Sequence, residues 1–144
     1  MFDLESYWRE VGSASWPSMM LCLFTSNCLP DCCAEMSRDP QLDTGAVFGE
    51  DFLHVYARAI AQNAAAHDGA IMIGRPTAAQ QYRVMGWSYR LFPPHTVQSA
   101  EPNRGSAFNS CLEMSKVAAV DMTYLVSEGR LVCFVKGGAT LIEL

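Results

Sequence analysis

Apolar residues fall at helical spacing in some parts of this chain and in strand-like runs in others. The clearest helical stretch begins at Glu50. Phe52, Leu53, Tyr56, Ile60, Asn63 and Ala64 recur at steps of three and four, and alanines at 57, 59, 61, 64, 65 and 66 favour the helix. Glu50 and Asp51 suit its start, and Gly69 lies just past its end. Ala70-Ile71-Met72-Ile73 comes next, a continuous apolar run between Gly69 and Gly74, which is the pattern of a buried central strand. Tyr82 to Met85 reads as a second strand and Trp87 to Phe92 as a third, stopped by Pro93-Pro94. Val97 to Asn103 is polar and reads as a loop. A helix then runs from Gly105 or Ser106 to about Ala119, with Ala107, Cys111, Met114 and Ala118 on one side and Leu112 and Ser115 beside them. Met122 to Val126 is rich in strand formers. Glu128-Gly129 turns the chain into Leu131 to Val135, and Gly137-Gly138 turns it again into Thr140-Leu141-Ile142.

The first 49 residues are less patterned. Asp3 to Val11 reads as a short helix with Phe2, Leu4, Tyr7, Trp8 and Val11 on its apolar side, and Gly12 to Pro17 breaks it. Met19 to Phe24 is helix or buried strand, which period alone does not decide. Pro30-Asp31 and Asp39-Pro40 punctuate the next stretch, and Asp43 to Gly49 is a loop or a short strand. Helices alternating with strands, closed by a terminal meander, predict an α/β fold: a mixed central β-sheet flanked by helices. The expected organisation is an N-terminal extension, helical or mixed, over 1–49 and a second part over 50–144, together forming one compact unit.

Composition narrows the function classes. The chain has 144 residues, half of them apolar and 17% charged, which is enough for one domain with a substantial core. A net charge of −5 argues against a general nucleic-acid surface. The N-terminus carries acids where a signal peptide carries bases, and Met19 to Phe24 is far shorter than the ~20 residues of a membrane span. The expectation is a soluble, cytoplasmic protein that does not bind membranes. Its six cysteines are then expected to be free thiols. Cys28, Cys32 and Cys33 lack both the fourth ligand and the paired spacing of a structural zinc site.

The candidate chemistry centres on Arg104-Gly105-Ser106. A turn that opens a helix presents free backbone N–H groups and the positive end of the helix dipole, a ready site for an anion. Asp68-Gly69-Ala70 stands where a helix gives way to a central strand, and ligands in open α/β sheets gather at such junctions. Ser127-Glu128 ends another strand. His67 reads as a helix-terminal histidine, His95 as a loop residue, and Trp8, Trp16 and Trp87 as core or interface.

The order of these pieces resembles the diadenylate cyclase (DAC) domain over roughly residues 50–138. The pieces are a helix, Asp68-Gly69-Ala70, an apolar strand, Leu91-Phe92-Pro93, Gly105-Ser106, a helix carrying Leu112 and Ser115, and Leu125-Val126-Ser127-Glu128. In that family an Asp-Gly-Ala motif helps to organise the metal and the attacking ribose hydroxyl. A Gly-Thr/Ser-Arg-His-Arg segment opening a helix binds ATP phosphates, and a Ser-Glu ending lies in the same pocket. The resemblance implies Asp68 as the metal ligand and, in an active enzyme, the catalytic residue. It implies a nucleotide site of Asp68, Gly69, Ala70, Leu91, Arg104, Gly105, Ser106, Asn109, Ser127 and Glu128, with Mg²⁺ or Mn²⁺ where nucleotide binds with metal.

The departure is sharp. The family's Arg-His-Arg falls on Ala107-Phe108-Asn109, which removes every cation of the motif. Transfer at a phosphorus centre depends on positioned cations, and a catalytic arginine can be worth about 10³–10⁵ in rate. Arg104, Arg83, Arg90 and Lys116 are the candidates to replace them, while Phe108 either packs into the core or stacks on a base. The reading is therefore a degenerate DAC-like module binding ATP or a cyclic dinucleotide as a sensor or regulator. The alternatives are a divergent active cyclase making cyclic di-AMP from two ATP, and a structural or partner-binding protein. The Met-, Cys- and Trp-rich N-terminal region is the expected face for self-association or a protein partner.

Overall fold

The computed structural model describes residues 2–12, 16–93 and 105–143. Its elements are α1 (Leu4–Val11), β1 (Met19–Thr25), β2 (Cys33–Glu35), α2 (Phe52–Gln62), a 3₁₀ turn (Ala64–His67), β3 (Ala70–Arg75), β4 (Arg83–Leu91), α3 (Ser106–Met114), β5 (Val120–Ser127), β6 (Arg130–Val135) and β7 (Gly138–Ile142). The strands form one mixed sheet in the order β2-β4-β3-β1-β5-β6-β7. β1 and β3 are parallel, with Met20 opposite Ala70 and Thr25 opposite Arg75. All the other pairings are antiparallel.

The run that fits either helix or strand, Met19 to Phe24, is thus the middle strand. Apolar on both faces and buried along most of its length, it suits a position covered from both sides. One face carries Leu21, Leu23, Ile71, Ile73 and Val84 and packs under α1 and α2. The other carries Cys22, Phe24, Ala70, Met72 and Tyr89 and packs under Met114 at the end of α3. Strands from both sides of position 49/50 therefore form a single sheet, with β1 and β2 contributed by the first 49 residues. Trp8, Trp16 and Trp87 are all buried in this chain's own core. Trp8 and Trp16 stand 5.7 Å apart between ring centroids, and Trp16 stacks on Phe52 at 6.2 Å.

Three elements differ from the expectation. The two strands expected over 82–92 are one, β4, whose register against β3 shifts between Ala70 and Ile73. Ser88 takes a left-handed φ of 58° within it, so the alternation breaks and the sequence shows two short runs. α3 ends at Met114 rather than near Ala119. Ser115 is fully buried and its hydroxyl donates to the Leu112 carbonyl at 2.6 Å, while accepting from the Gly137 N–H at 2.9 Å. β2 has no counterpart in the expected elements; it is three residues long and carries no period to read. Asp43 to Gly49 is a loop with one isolated bridge, Val47 to Arg83. Among the described residues no helix is long and apolar enough to cross a membrane. All six cysteines are free thiols.

Candidate functional site

Strand register brings the motifs to one end of the sheet. Ala70 pairs with Met20 and Tyr89, and Met20 pairs with Leu125, so Asp68, Leu91 and Ser127 all project beyond the same edge. They are spread along it, however. β4, β3, β1 and β5 are successive strands, so Leu91 and Ser127 are separated by three strand spacings, roughly 14 Å.

α3 lies on one sheet face and divides it. On its β4 side, Leu91, Phe92 and Pro93 face Ser106, Asn109, Ser110 and Glu113 across a groove of ≈440 Å³. On its other side, Phe108, Leu125, Ser127, Glu128 and Val132 are among the walls of a second groove, of ≈680 Å³. The ten residues implied for one pocket are thus distributed: Leu91, Ser106 and Asn109 border the first groove, and Ser127 and Glu128 the second. Arg104 lies outside the described residues, as do His95 and the loop expected over 97–103.

The first groove is built by helical spacing. Ser106, Asn109, Ser110 and Glu113 are at i, i+3, i+4 and i+7, which puts them on one face of α3. Gly105 is the N-cap, and no side chain caps the helix, so Ser106 opens the first turn instead of capping it. The positive end of the helix dipole lies at that turn. Sequence reasoning missed Glu113. Its carboxylate is buried and is held by Lys116 Nζ at 3.0 Å, which accounts for one of the four proposed replacement cations. Phe108 turns to the other side of the helix and meets Phe134 edge-on, with centroids 4.9 Å apart. That is core packing, the first of its two expected roles.

Of Asp68-Gly69-Ala70, Asp68 is exposed and Gly69 is half-buried. Ala70 is fully buried in β3. Gly69 has φ +75°, and a Cβ there would lie 2.7 Å from the Tyr89 carbonyl oxygen and 2.6 Å from Met36 Cε. The Asp68 carboxylate sits beside two basic groups: Arg38 Nη2 at 3.4 Å and His67 Nε2 at 3.1 Å. His67 Nδ1 lies 2.7 Å from the Ala64 carbonyl, which can only accept. Nδ1 therefore carries a proton, and Nε2 can donate to Asp68 only when the ring is doubly protonated. Arg38 is absent from the cations that the sequence suggests, because it stands thirty residues before Asp68 with no pattern linking them. It is fixed by donating from Nε to the buried Ser88 hydroxyl at 3.1 Å.

The other proposed cations are elsewhere. Arg83 pairs with Gly74 at the far end of β3, and Arg90 pairs with Ala34 on the outer side of β4. Among the described residues no three His, Cys, Asp or Glu side chains are grouped to hold a metal ion. Asp68 alone does not make a protein-held divalent site, since such sites need several oxygen ligands. Ser127 and Glu128 form the corner of the β5–β6 hairpin, where Glu128 and Gly129 both have positive φ, as a tight two-residue turn requires.

A scan against models of known protein families finds none that matches, and a search of curated proteins finds no match. Solved structures do share the fold. A hypothetical membrane spanning protein from Bacillus cereus superposes with a TM-score of 0.62 at 16% identity, over 97% of this chain and 60% of that one. DacA from Staphylococcus aureus, a diadenylate cyclase crystallised as an N166C/T172C double mutant, superposes with a TM-score of 0.56 at 14% identity. That match covers 98% of this chain and 84% of DacA. The chain accordingly has a DAC-like α/β fold. At these identities the likeness concerns the fold alone, and the chain spans 60% of the length of the Bacillus protein.

Proposed function

We propose that this protein is a nucleotide-binding module on a DAC-like fold that has lost the cyclase reaction. The observation that carries the reading is the first turn of α3. It brings the positive end of the helix dipole to the groove bordered by Leu91 and Ser106, while the three positions that hold Arg-His-Arg in the resembling family hold Ala107, Phe108 and Asn109. Binding needs the helix terminus and the groove. In-line transfer between two triphosphates needs cations fixed around the phosphates as well, and Phe108 has exchanged that role for packing against Phe134. Asp68 supports the same view, since its carboxylate is already paired with Arg38, and with His67 when that ring is doubly protonated. Mg²⁺ or Mn²⁺ would enter with the nucleotide's own phosphates.

The test is a calorimetric titration with ATP, ADP and cyclic di-AMP, with and without Mg²⁺, alongside an assay for pyrophosphate and cyclic dinucleotide. Saturable binding without product is expected. Turnover of ATP to cyclic dinucleotide overturns the loss of the reaction, and absence of binding by all three nucleotides overturns the nucleotide reading.

A further inference from the structure

A second concave site lies at the other end of the sheet from Asp68. The parallel strands β1 and β3 finish there at Thr25 and Arg75, and the ends of parallel strands are where open α/β sheets place ligand crevices. β3 is six residues long, so the two ends are separated by about 16–20 Å. The cleft measures ≈600 Å³, within the range of small-molecule pockets.

Its apolar part is made by Phe24, Leu29, Pro76 and Met85. The Phe24 ring lies so close against Gly74 that a Cβ there would overlap it, so the missing side chain sets the floor. Asn27, Gln80 and Gln81 contribute amides. Among the described residues the charged groups of its wall are two arginines, Arg75 and Arg83, with no carboxylate, in a protein whose net charge is −5.

The arginines are unequal. Arg75 is held by Thr25 Oγ1, which accepts from Nε at 2.9 Å, and by the Tyr82 ring, whose centroid is 4.2 Å from the guanidinium carbon. Asp121 stands behind it at 4.0 Å and also accepts from Thr25 and Tyr82, each at 2.5 Å. Arg83 donates to the Gly45 carbonyl at 3.0 Å and has no carboxylate partner among the described residues. Among the described residues, two guanidinium groups against one carboxylate leave a net charge near +1. That matches a monoanion and not a polyphosphate, and the apolar floor calls for an uncharged body behind the charge.

We propose that this cleft binds a small monocarboxylate with an apolar body, its carboxylate on the arginine side and its body over Phe24, Leu29 and Met85. The site is independent of the nucleotide reading, which concerns the opposite end of the sheet.

The experiment is an NMR titration of ¹⁵N-labelled protein with 3-phenylpropionate and with hexanoate, each beside its neutral primary amide. Shifts should concentrate at Ser26 to Leu29, Gly74, Arg75 and Gln80 to Met85, with each acid binding at least about tenfold more tightly than its amide, equivalent to 1.4 kcal/mol. R83Q should remove most of that preference. C28W, at an exposed position of the wall, should weaken both acids by tenfold or more while the remaining spectrum stays folded. ATP should not compete. Equal binding of acid and amide, a preference unchanged in R83Q, shifts centred on other faces, or no saturation by either acid up to about 10 mM overturns the proposal.

Discussion

Gly69 is the residue at which a structural and a ligand-binding explanation of Asp-Gly-Ala can be separated. The substitution Gly69→Ala adds one methyl group at φ +75°, and the left-handed conformation costs a non-glycine residue about 1–2 kcal/mol. The methyl also meets Tyr89 O at 2.7 Å and Ser88 C at 3.1 Å. Both are backbone atoms of the bulged part of β4, which cannot swing aside as Met36 Cε can. Overpacking of this kind costs about 1–3 kcal/mol, so the whole effect is about 2–5 kcal/mol. Asp68→Asn next door provides the contrast: its carboxylate is half exposed, and an ion pair so placed contributes about 0–1 kcal/mol. Urea unfolding followed by far-ultraviolet circular dichroism measures both. With a slope of about 2 kcal/mol/M, Gly69→Ala should lower the midpoint by about 1–2.5 M, and Asp68→Asn by at most about 0.5 M. A Gly69→Ala variant within about 0.5 kcal/mol of the native protein would refute the steric account and return the glycine to the ligand.

Three further outcomes are expected. Asp3 caps α1 by accepting from the Glu5 and Ser6 N–H groups and the Ser6 hydroxyl, so Asp3→Ala should cost about 0.5–2 kcal/mol in the same unfolding assay. The Ser6 hydroxyl, first among its causes, holds the Asp3 carboxyl below its ordinary value; that stabilisation is complete above the unfolded value and disappears as pH falls through the folded one, so the two proteins should converge in acid. Phe108→Ala should lose about 1–2 kcal/mol by thermal or urea unfolding, because it removes the edge-on contact with Phe134 as well as apolar burial. In a thiol-titration time course near neutral pH, exposed Cys28 should react first, whereas Cys22, Cys111 and Cys133 should react only as the protein opens. Burial pushes Cys111 up to about 12 and Cys133 up to about 11, and raises Cys22 too.

Much of the architecture is written in local patterns. The helix from Phe52, the buried strand from Ala70, the Glu128-Gly129 hairpin and the helix opened by Gly105 each rest on a period or a turn that neighbouring residues suffice to define, and their alternation predicts a mixed sheet between helices. That Ala107-Phe108-Asn109 carries no cation is likewise legible without coordinates. The tertiary structure decided matters of pairing between distant segments. Met19 to Thr25 becomes the central strand because β3 and β5 flank it, and nothing within the run itself distinguishes that from a helix. β4 reads as two strands until its bulge against β3 joins them. Arg38 reaches Asp68, and Asp121 reaches Thr25, Tyr82 and Arg75, across separations that carry no periodic signal. The position of α3 across the sheet divides one expected pocket into two grooves and sends Glu113 into the first, because a helix has a single axis and its opposite faces cannot border the same space.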